Sequence, residues 1–270
     1  MKDLTATKFD TIKRNLAGKK ILVAFSGGVD STVLASIVSE VASATTLLII
    51  SSPTVPESEL VGAKEIAKEL GLELIVKDFN WLEEEALVTN QIDRCFGCKQ
   101  ILAVSWLKVA EDLGFEIVVE GTTASETERY RPGAKALEDS GVHSPYLDVN
   151  ITKDEIREYA RNRGLSVAEK PSGACLATRF PYDTEITLER LKMVETVEKA
   201  VMTIFGVECV RARFHGDLVR IEVGESELPT MFDTTKMSEL ERQAHEAGFS
   251  YVTLDLRGYR TGAMDEGLDL

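Results

Sequence analysis

The sequence predicts an α/β protein with a doubly wound, mostly parallel sheet, followed by a smaller C-terminal α+β domain. Three observations carry this reading. Between residues 20 and 165 short apolar runs alternate with helical patterns, the rhythm of strands joined by crossover helices. A loop rich in glycine and serine follows the first apolar run directly and opens a helix. From about residue 171 the order changes to a long helical pattern and two closely spaced strands.

Taken in order, residues 1–16 predict an amphipathic helix carrying lysines and acids together. Residues 21–25, 47–51, 72–76 and 116–120 predict strands, with helical stretches between them. In such sheets ligands bind beyond the carboxyl ends of the strands, which directs attention to the loops after Phe25, Ile50 and Glu120. Those loops read SGGVDS, SSPTVP and GTTASE. The helical pattern that ends near Gly164 gives way to residues 171–185, whose prolines, glycine and small residues make a linker or a site loop. Beyond it come a helix over about 187–205, strands at 208–214 and 218–223, a helix over about 234–247 and a strand at 251–255. The expected division is residues 1–170 and 171–270.

The chain has 270 residues, 44% of them hydrophobic and 28% charged, which is the composition of a folded globular protein. No apolar run reaches the roughly 18 residues of a membrane span, and the N-terminal segment does not read as a leader. A cytoplasmic enzyme is expected, with no membrane partner. In that reducing compartment the four cysteines point to metal binding or catalysis over disulfides. The net charge of −14 opposes sustained contact with a phosphate backbone, so no nucleic-acid partner is expected.

Ser26-Gly27-Gly28-Val29-Asp30-Ser31 lies where a phosphate-binding loop belongs. Glycines let main-chain N–H groups approach phosphate, the helix start adds partial positive charge, and serine hydroxyls add donors. A ligand-free strand-to-helix turn could carry the same glycines, and Asp30 could simply start the helix. A carboxylate there is also suited to Mg²⁺ beside a pyrophosphate. The missing Gly-Lys-Ser/Thr ending argues against transfer of a terminal phosphoryl group. The motif resembles the signature of the PP-loop ATP-pyrophosphatase superfamily, which includes GMP synthetase, NAD synthetase, asparagine synthetase and the tRNA thiolases. The resemblance implies an adenine nucleotide α-hydrolase-like fold and a substrate activated with AMP. It also implies ATP on Ser26, Gly27, Gly28, Val29, Asp30 and Ser31, with Ser51, Gly121 and Thr122 flanking adenine and ribose.

Arg94-Cys95-Phe96-Gly97-Cys98-Lys99 sets two thiols three residues apart at a helix start, where both can reach one metal or cluster. Three cysteines can hold three corners of a 4Fe-4S cluster, and a redox dithiol is the other reading of the pair. Cys175 lies in a loop of small residues with Arg179 nearby, a cation that would favour thiolate. Cys209 is expected inside a strand as a buried, apolar-packed thiol. Arg211 and Arg213, at alternate strand positions, face one side; they suit a phosphate or an ordinary solvated face.

Tyr130-Arg131-Pro132-Gly133, the loop Ser172…Cys175…Arg179-Phe180-Pro181-Tyr182, Arg211-Ala212-Arg213-Phe214-His215 and Tyr251-Val252-Thr253-Leu254-Asp255-Leu256 together resemble the LarE sulfur transferases of nickel-pincer nucleotide biosynthesis. That resemblance spans nearly the whole chain. It implies ATP-dependent conversion of a carboxylate of pyridinium-3,5-dicarboxylate mononucleotide to a thiocarboxylate, with Asp30 and Cys175 in the reaction. Cys95, Cys98 and Cys175 would be ligands of a 4Fe-4S cluster in a three-cysteine subtype, and the sulfur donor would be cluster-bound sulfide or Cys175 itself. Arg211 and Arg213, with Glu198 and Glu222, would form the substrate-phosphate site. A homo-oligomer and LarB and LarC homologues as pathway neighbours are also implied. A tRNA thiolase and a non-catalytic ATP-binding or redox-sensing protein are the competing readings.

Overall fold

A computed structural model of the chain describes residues 2–124, 137, 140–171 and 173–266; Tyr130–Gly133 and Ser172 of the motifs above lie outside them. The chain divides into two compact units. One comprises Met1–Ser52, Glu57–Phe79 and Asp93–Gly173, and the other Pro53–Pro56, Asn80–Ile92 and Ala174–Leu270.

The first unit is built on a parallel sheet of β1 (Lys20–Ala24), β2 (Ala44–Ser51), β3 (Glu73–Asp78) and β4 (Ile117–Val119), in the order β3-β2-β1-β4. The chain winds outward from β1 to β3 and then returns to lay β4 on the other side of β1. The crevice beyond the carboxyl ends of β1 and β4 is therefore a topological switch point, where open α/β sheets bind ligands. Ile21, Val23 and Phe25 enter one apolar cluster and Leu22 and Ala24 another, as the two-residue period of a strand covered on both faces requires.

Among the described residues, the helices of ten residues or more in this unit are α1 (Lys2–Leu16), α2 (Val29–Ser39), α3 (Glu57–Glu69), α4 (Arg94–Leu113) and α5 (Lys153–Arg163). The α1 residues Phe9, Ile12 and Leu16 recur at helical spacing and are buried with α2 and α5 in the first cluster, whereas Ala103, Trp106 and Ala110 of α4 pack in the second. A capping box between Thr152 and Glu155 starts α5, and left-handed Gly164 ends it.

The second unit contains α6 (Leu188–Phe205), β5 (Val210–His215), β6 (Leu218–Val223), α7 (Thr234–Glu246) and β7 (Tyr251–Leu254). Strand β6 lies between β5, which is antiparallel to it, and β7, which is parallel. Thr187 caps α6 by accepting from the Arg190 N–H, and Asp233 caps α7 by accepting from the N–H groups of Thr235 and Lys236. The short excursions at 53–56 and 80–92 are stitched in by main-chain bonds. Leu176 N–H donates to the Thr54 carbonyl at 2.8 Å, and Ile186 N–H donates to that of Val88 at 2.8 Å. Among the described residues no helix is long and apolar enough to cross a membrane.

Candidate functional site

In the first unit the loop after β1 makes the tight turn that its glycines allow. Gly27 has φ +70°, and a Cβ placed there would lie 2.7 Å from the Cα and Cβ of Ala63 on α3. Both its backbone conformation and its clearance thus require glycine. The serine hydroxyls close the loop on itself: Ser26 Oγ and Ser31 Oγ are 3.1 Å apart, and Ser31 Oγ also accepts from the Ser26 N–H at 3.2 Å. Gly28 precedes α2 in extended conformation with no side chain to cap the helix. Ser26, two residues earlier, is exposed and supplies a hydroxyl at the loop surface, while Val29 is buried.

The structure brings Gly121 to this loop, for a Cβ on it would meet Ser31 N at 3.2 Å and Asp30 Cβ at 3.3 Å. Thr122 is buried and its hydroxyl and N–H both donate to Glu120 Oε2, at 2.7 and 3.0 Å. Ser144 donates to the other oxygen of that buried carboxylate. Ser51, at the carboxyl end of β2, is half-buried and its carbonyl accepts from Phe79 N–H.

Two lysines reach the loop. Lys153 makes an ion pair with Asp30, and Lys170 Nζ donates to the Gly27 carbonyl at 3.1 Å and to Glu59 Oε2 at 2.7 Å. Tyr146 donates to the Asp30 carbonyl at 3.1 Å; complete burial, with the Asp30 charge close by, raises its hydroxyl pKa well above the ordinary 10.0. A metal ligand role for Asp30 therefore requires Lys153 to take another partner. Sequence reasoning missed both lysines and Glu59, because no spacing ties residues 59, 153 and 170 to residue 27.

Cys95 and Cys98 lie three residues apart in the first two turns of α4, both half-buried, and Arg94 Nη2 donates to Cys95 Sγ at 3.2 Å. Residues at i and i+3 share a helix face, so this pair fits two positions on one metal or cluster. Cys175, an exposed thiol of the same donor chemistry, belongs to the second unit. Among the described residues no group of three or more His, Cys, Asp or Glu side chains is gathered as a metal site. Cys209 is half-buried and precedes β5 instead of lying within it, because the strand starts one residue later. Burial raises its thiol pKa, with Glu227 among the smaller contributors and the Arg211 charge opposing.

The second unit holds two buried arginine–carboxylate pairs. Arg179 donates through Nε and Nη2 to the two oxygens of Glu198, at 2.6 and 3.0 Å, and Glu198 Oε1 also accepts from the Ala212 N–H at 2.8 Å. The third nitrogen of Arg179 reaches the Thr178 hydroxyl and the carbonyls of Ala174 and Cys175. The cation expected to act on the Cys175 thiol thus instead clamps the main chain on which that thiol sits. Arg213 donates to Glu222 at 2.8 and 3.0 Å and to the Thr178 carbonyl at 3.0 Å.

Arg211 lies on the same face of β5, 4.9 Å over the Tyr259 ring, and donates to the Val210 carbonyl at 2.7 Å. Burial, with the Arg179 charge nearby, lowers its guanidinium pKa, while Glu198 opposes the shift. Arg211 and Arg213 are both buried, so the solvated-face reading of this strand does not hold.

No protein-family model matches the chain. It is 33% identical over 250 residues to an uncharacterized protein of Synechocystis, covering 92% of this chain and 93% of that one. It is 30% identical over 266 residues to the pyridinium-3,5-bisthiocarboxylic acid mononucleotide synthase of Lactiplantibacillus plantarum, covering 97% and 95%. A partial likeness, 27% over 195 residues, links it to the tRNA-specific 2-thiouridylase MnmA of Desulforamulus reducens, with 57% of this chain and 53% of that one covered. With the loop after β1 set at the switch point of a parallel sheet and full-length likeness to the Lactiplantibacillus synthase, the chain belongs to the LarE family within the PP-loop superfamily.

Proposed function

We propose that this protein is an ATP-dependent sulfur transferase that activates a carboxylate of pyridinium-3,5-dicarboxylate mononucleotide and replaces one of its oxygens with sulfur. The observation that carries the reading is the Ser26–Ser31 loop, with its hydroxyls, its left-handed Gly27 and the apposed Gly121, in a chain of the LarE family. The carboxylate attacks the α-phosphorus of ATP, an acyl-adenylate forms and pyrophosphate leaves. The loop's N–H and hydroxyl donors hold the departing phosphates, Asp30 would hold Mg²⁺ once Lys153 takes another partner, and Ser51, Gly121 and Thr122 border adenine and ribose. Positioning and charge neutralisation supply the acceleration of this step.

In the second step a sulfur nucleophile attacks the activated carbonyl and AMP leaves. When bound, a 4Fe-4S cluster on Cys95, Cys98 and Cys175 would supply that sulfur as sulfide. Without it the Cys175 thiolate attacks, a base takes its Cα proton, and the Cβ–S bond breaks to leave a thiocarboxylate and dehydroalanine. Arg211, buried on the same face of β5 as Arg213, fits the substrate phosphate, with Arg213 beside it. Glu198 and Glu222 hold Arg179 and Arg213 in place for that site. The family reading carries with it a cytoplasmic homo-oligomer that works beside LarB and LarC homologues.

The test is product analysis on the anaerobically reconstituted protein with Mg·ATP and pyridinium-3,5-dicarboxylate mononucleotide. Wild type yields AMP, pyrophosphate and a thiocarboxylate; Cys175→Ala yields pyrophosphate but no thiocarboxylate. Iron and labile sulfide lost together in Cys95→Ala, Cys98→Ala and Cys175→Ala assign the cluster. Iron-free wild type converting Cys175 to dehydroalanine assigns the sacrificial route, and absence of pyrophosphate release from wild type refutes the whole reading.

A further inference from the structure

We propose that Lys153 and Lys170 are the cations that neutralise the β- and γ-phosphates of ATP, an assignment that rests on the nucleotide reading above. A departing pyrophosphate concentrates negative charge, and this chain carries a net charge of −14. Its loop lacks the lysine that ends a P-loop, so the main-chain donors of residues 27–31 and the hydroxyls of Ser26 and Ser31 need positive charge from elsewhere in the fold.

The two lysines supply it from one supersecondary segment. Lys153 is the first residue of α5 and Lys170 follows that helix, yet both arrive at the loop after β1. Each is fixed at its base. The Thr152–Glu155 capping box sets the start of α5, while Arg157 donates to the carbonyls of Ala168 and Lys170 at 2.6 and 3.0 Å and so locks the main chain from which Lys170 projects. Both side chains are about a quarter exposed, 29% and 25%, which leaves them within reach of a ligand while limiting solvent screening.

The present partners also suit an exchange. Lys153 rests on Asp30, and Lys170 on Glu59 and the Gly27 carbonyl, so each ammonium already stands at the loop. A lysine is a compact charge on a flexible stem and can pass from a carboxylate to a phosphate oxygen without moving its backbone. Transfer of Lys153 to phosphate ends its ion pair with Asp30.

The experiment is calorimetric titration of the full-length protein with Mg·ATP and, separately, with AMP. Lys153→Met and Lys170→Met each weaken ATP binding by about ten- to a hundredfold, the worth of a charged hydrogen bond, and leave AMP within about twofold of wild type. Lys153→Gln and Lys170→Gln repeat the measurement should a Met variant fail to fold. In Lys170→Met/Glu59→Gln the loss persists. Recovery there would show that an uncovered Glu59 had merely repelled the phosphates and would overturn the assignment. Unchanged ATP affinity in the single variants, or an equal loss for AMP, would also overturn it. A wild type that binds neither nucleotide would instead overturn the nucleotide reading itself.

Discussion

Replacing Glu198 with Ala strips the Arg179 guanidinium of both its carboxylate bonds, at 2.6 and 3.0 Å, and removes the acceptor of the Ala212 N–H. Arg179 keeps only 2% of its side chain in solvent and has no route to water without unpacking. Breaking a buried pair in this way costs about 3–5 kcal/mol. The stranded amide is worth about 1–3 kcal/mol by itself, but the two losses share one cavity and do not simply add. A total near the top of the first range, roughly 4–5 kcal/mol, is expected.

The chain has two tryptophans, and Trp81 belongs to the second unit while Trp106 belongs to the first. In a Trp106→Phe background, urea unfolding followed by Trp81 fluorescence reads the unit that holds the pair. Glu198→Ala should lower the midpoint with an unchanged slope. Arg179→Met/Glu198→Leu, which removes both charges and keeps the volume, should recover to within about 2 kcal/mol of the parent. A single variant within about 1 kcal/mol of the parent, the worth of an exposed pair, would refute the claim that this ion pair is buried and structural.

Other outcomes follow from the same geometry. Gly27→Ala should cost about 1–2 kcal/mol for the left-handed conformation and roughly another 1–3 kcal/mol for the clash with Ala63, with a matching fall in Tm. Spectrophotometric titration should find Tyr146 neutral well past pH 10. Its folded pKa is raised, so its contribution to stability is complete below the unfolded value of 10.0 and is lost as pH climbs through the folded value; Tyr146→Phe should flatten that alkaline decline. At neutral pH iodoacetamide should modify exposed Cys175 well before Cys209, whose thiol burial holds protonated, with peptide mass spectrometry as the readout. Cys209→Ser should leave any reconstituted iron content unchanged.

The four strands were legible as short apolar runs between helical patterns, most clearly in β1, where four of five residues are buried, and least in β3, an edge strand with none. Their ends shifted: β2 starts at Ala44 and β3 runs on to Asp78, because strand pairing extends past the apolar residues that the pattern marks. The loop at 26–31 was legible for a different reason, since its glycines answer a local demand on the backbone. What the sequence hid are long-range charge partners. Nothing in local pattern joins Arg179 to Glu198 or Lys153 to Asp30; a lysine or arginine reads as solvated surface until the fold buries it. The alternation of Arg211 and Arg213 gave their shared face but not that Arg213 is matched to Glu222.

The excursion at residues 80–92 has a consequence for how the protein is made. It carries Trp81 and Leu87, both buried, and Asn90, whose amide donates to the Pro181 carbonyl at 2.6 Å. These residues leave the ribosome long before the segment from Ala174 onward that completes their unit. At about 5–20 residues per second, the nascent chain would carry an unburied tryptophan and leucine for roughly ten to thirty-five seconds. Synthesis, more than the finished fold, is where this protein is most open to misassociation, and a chaperone that holds short apolar segments would find its target there.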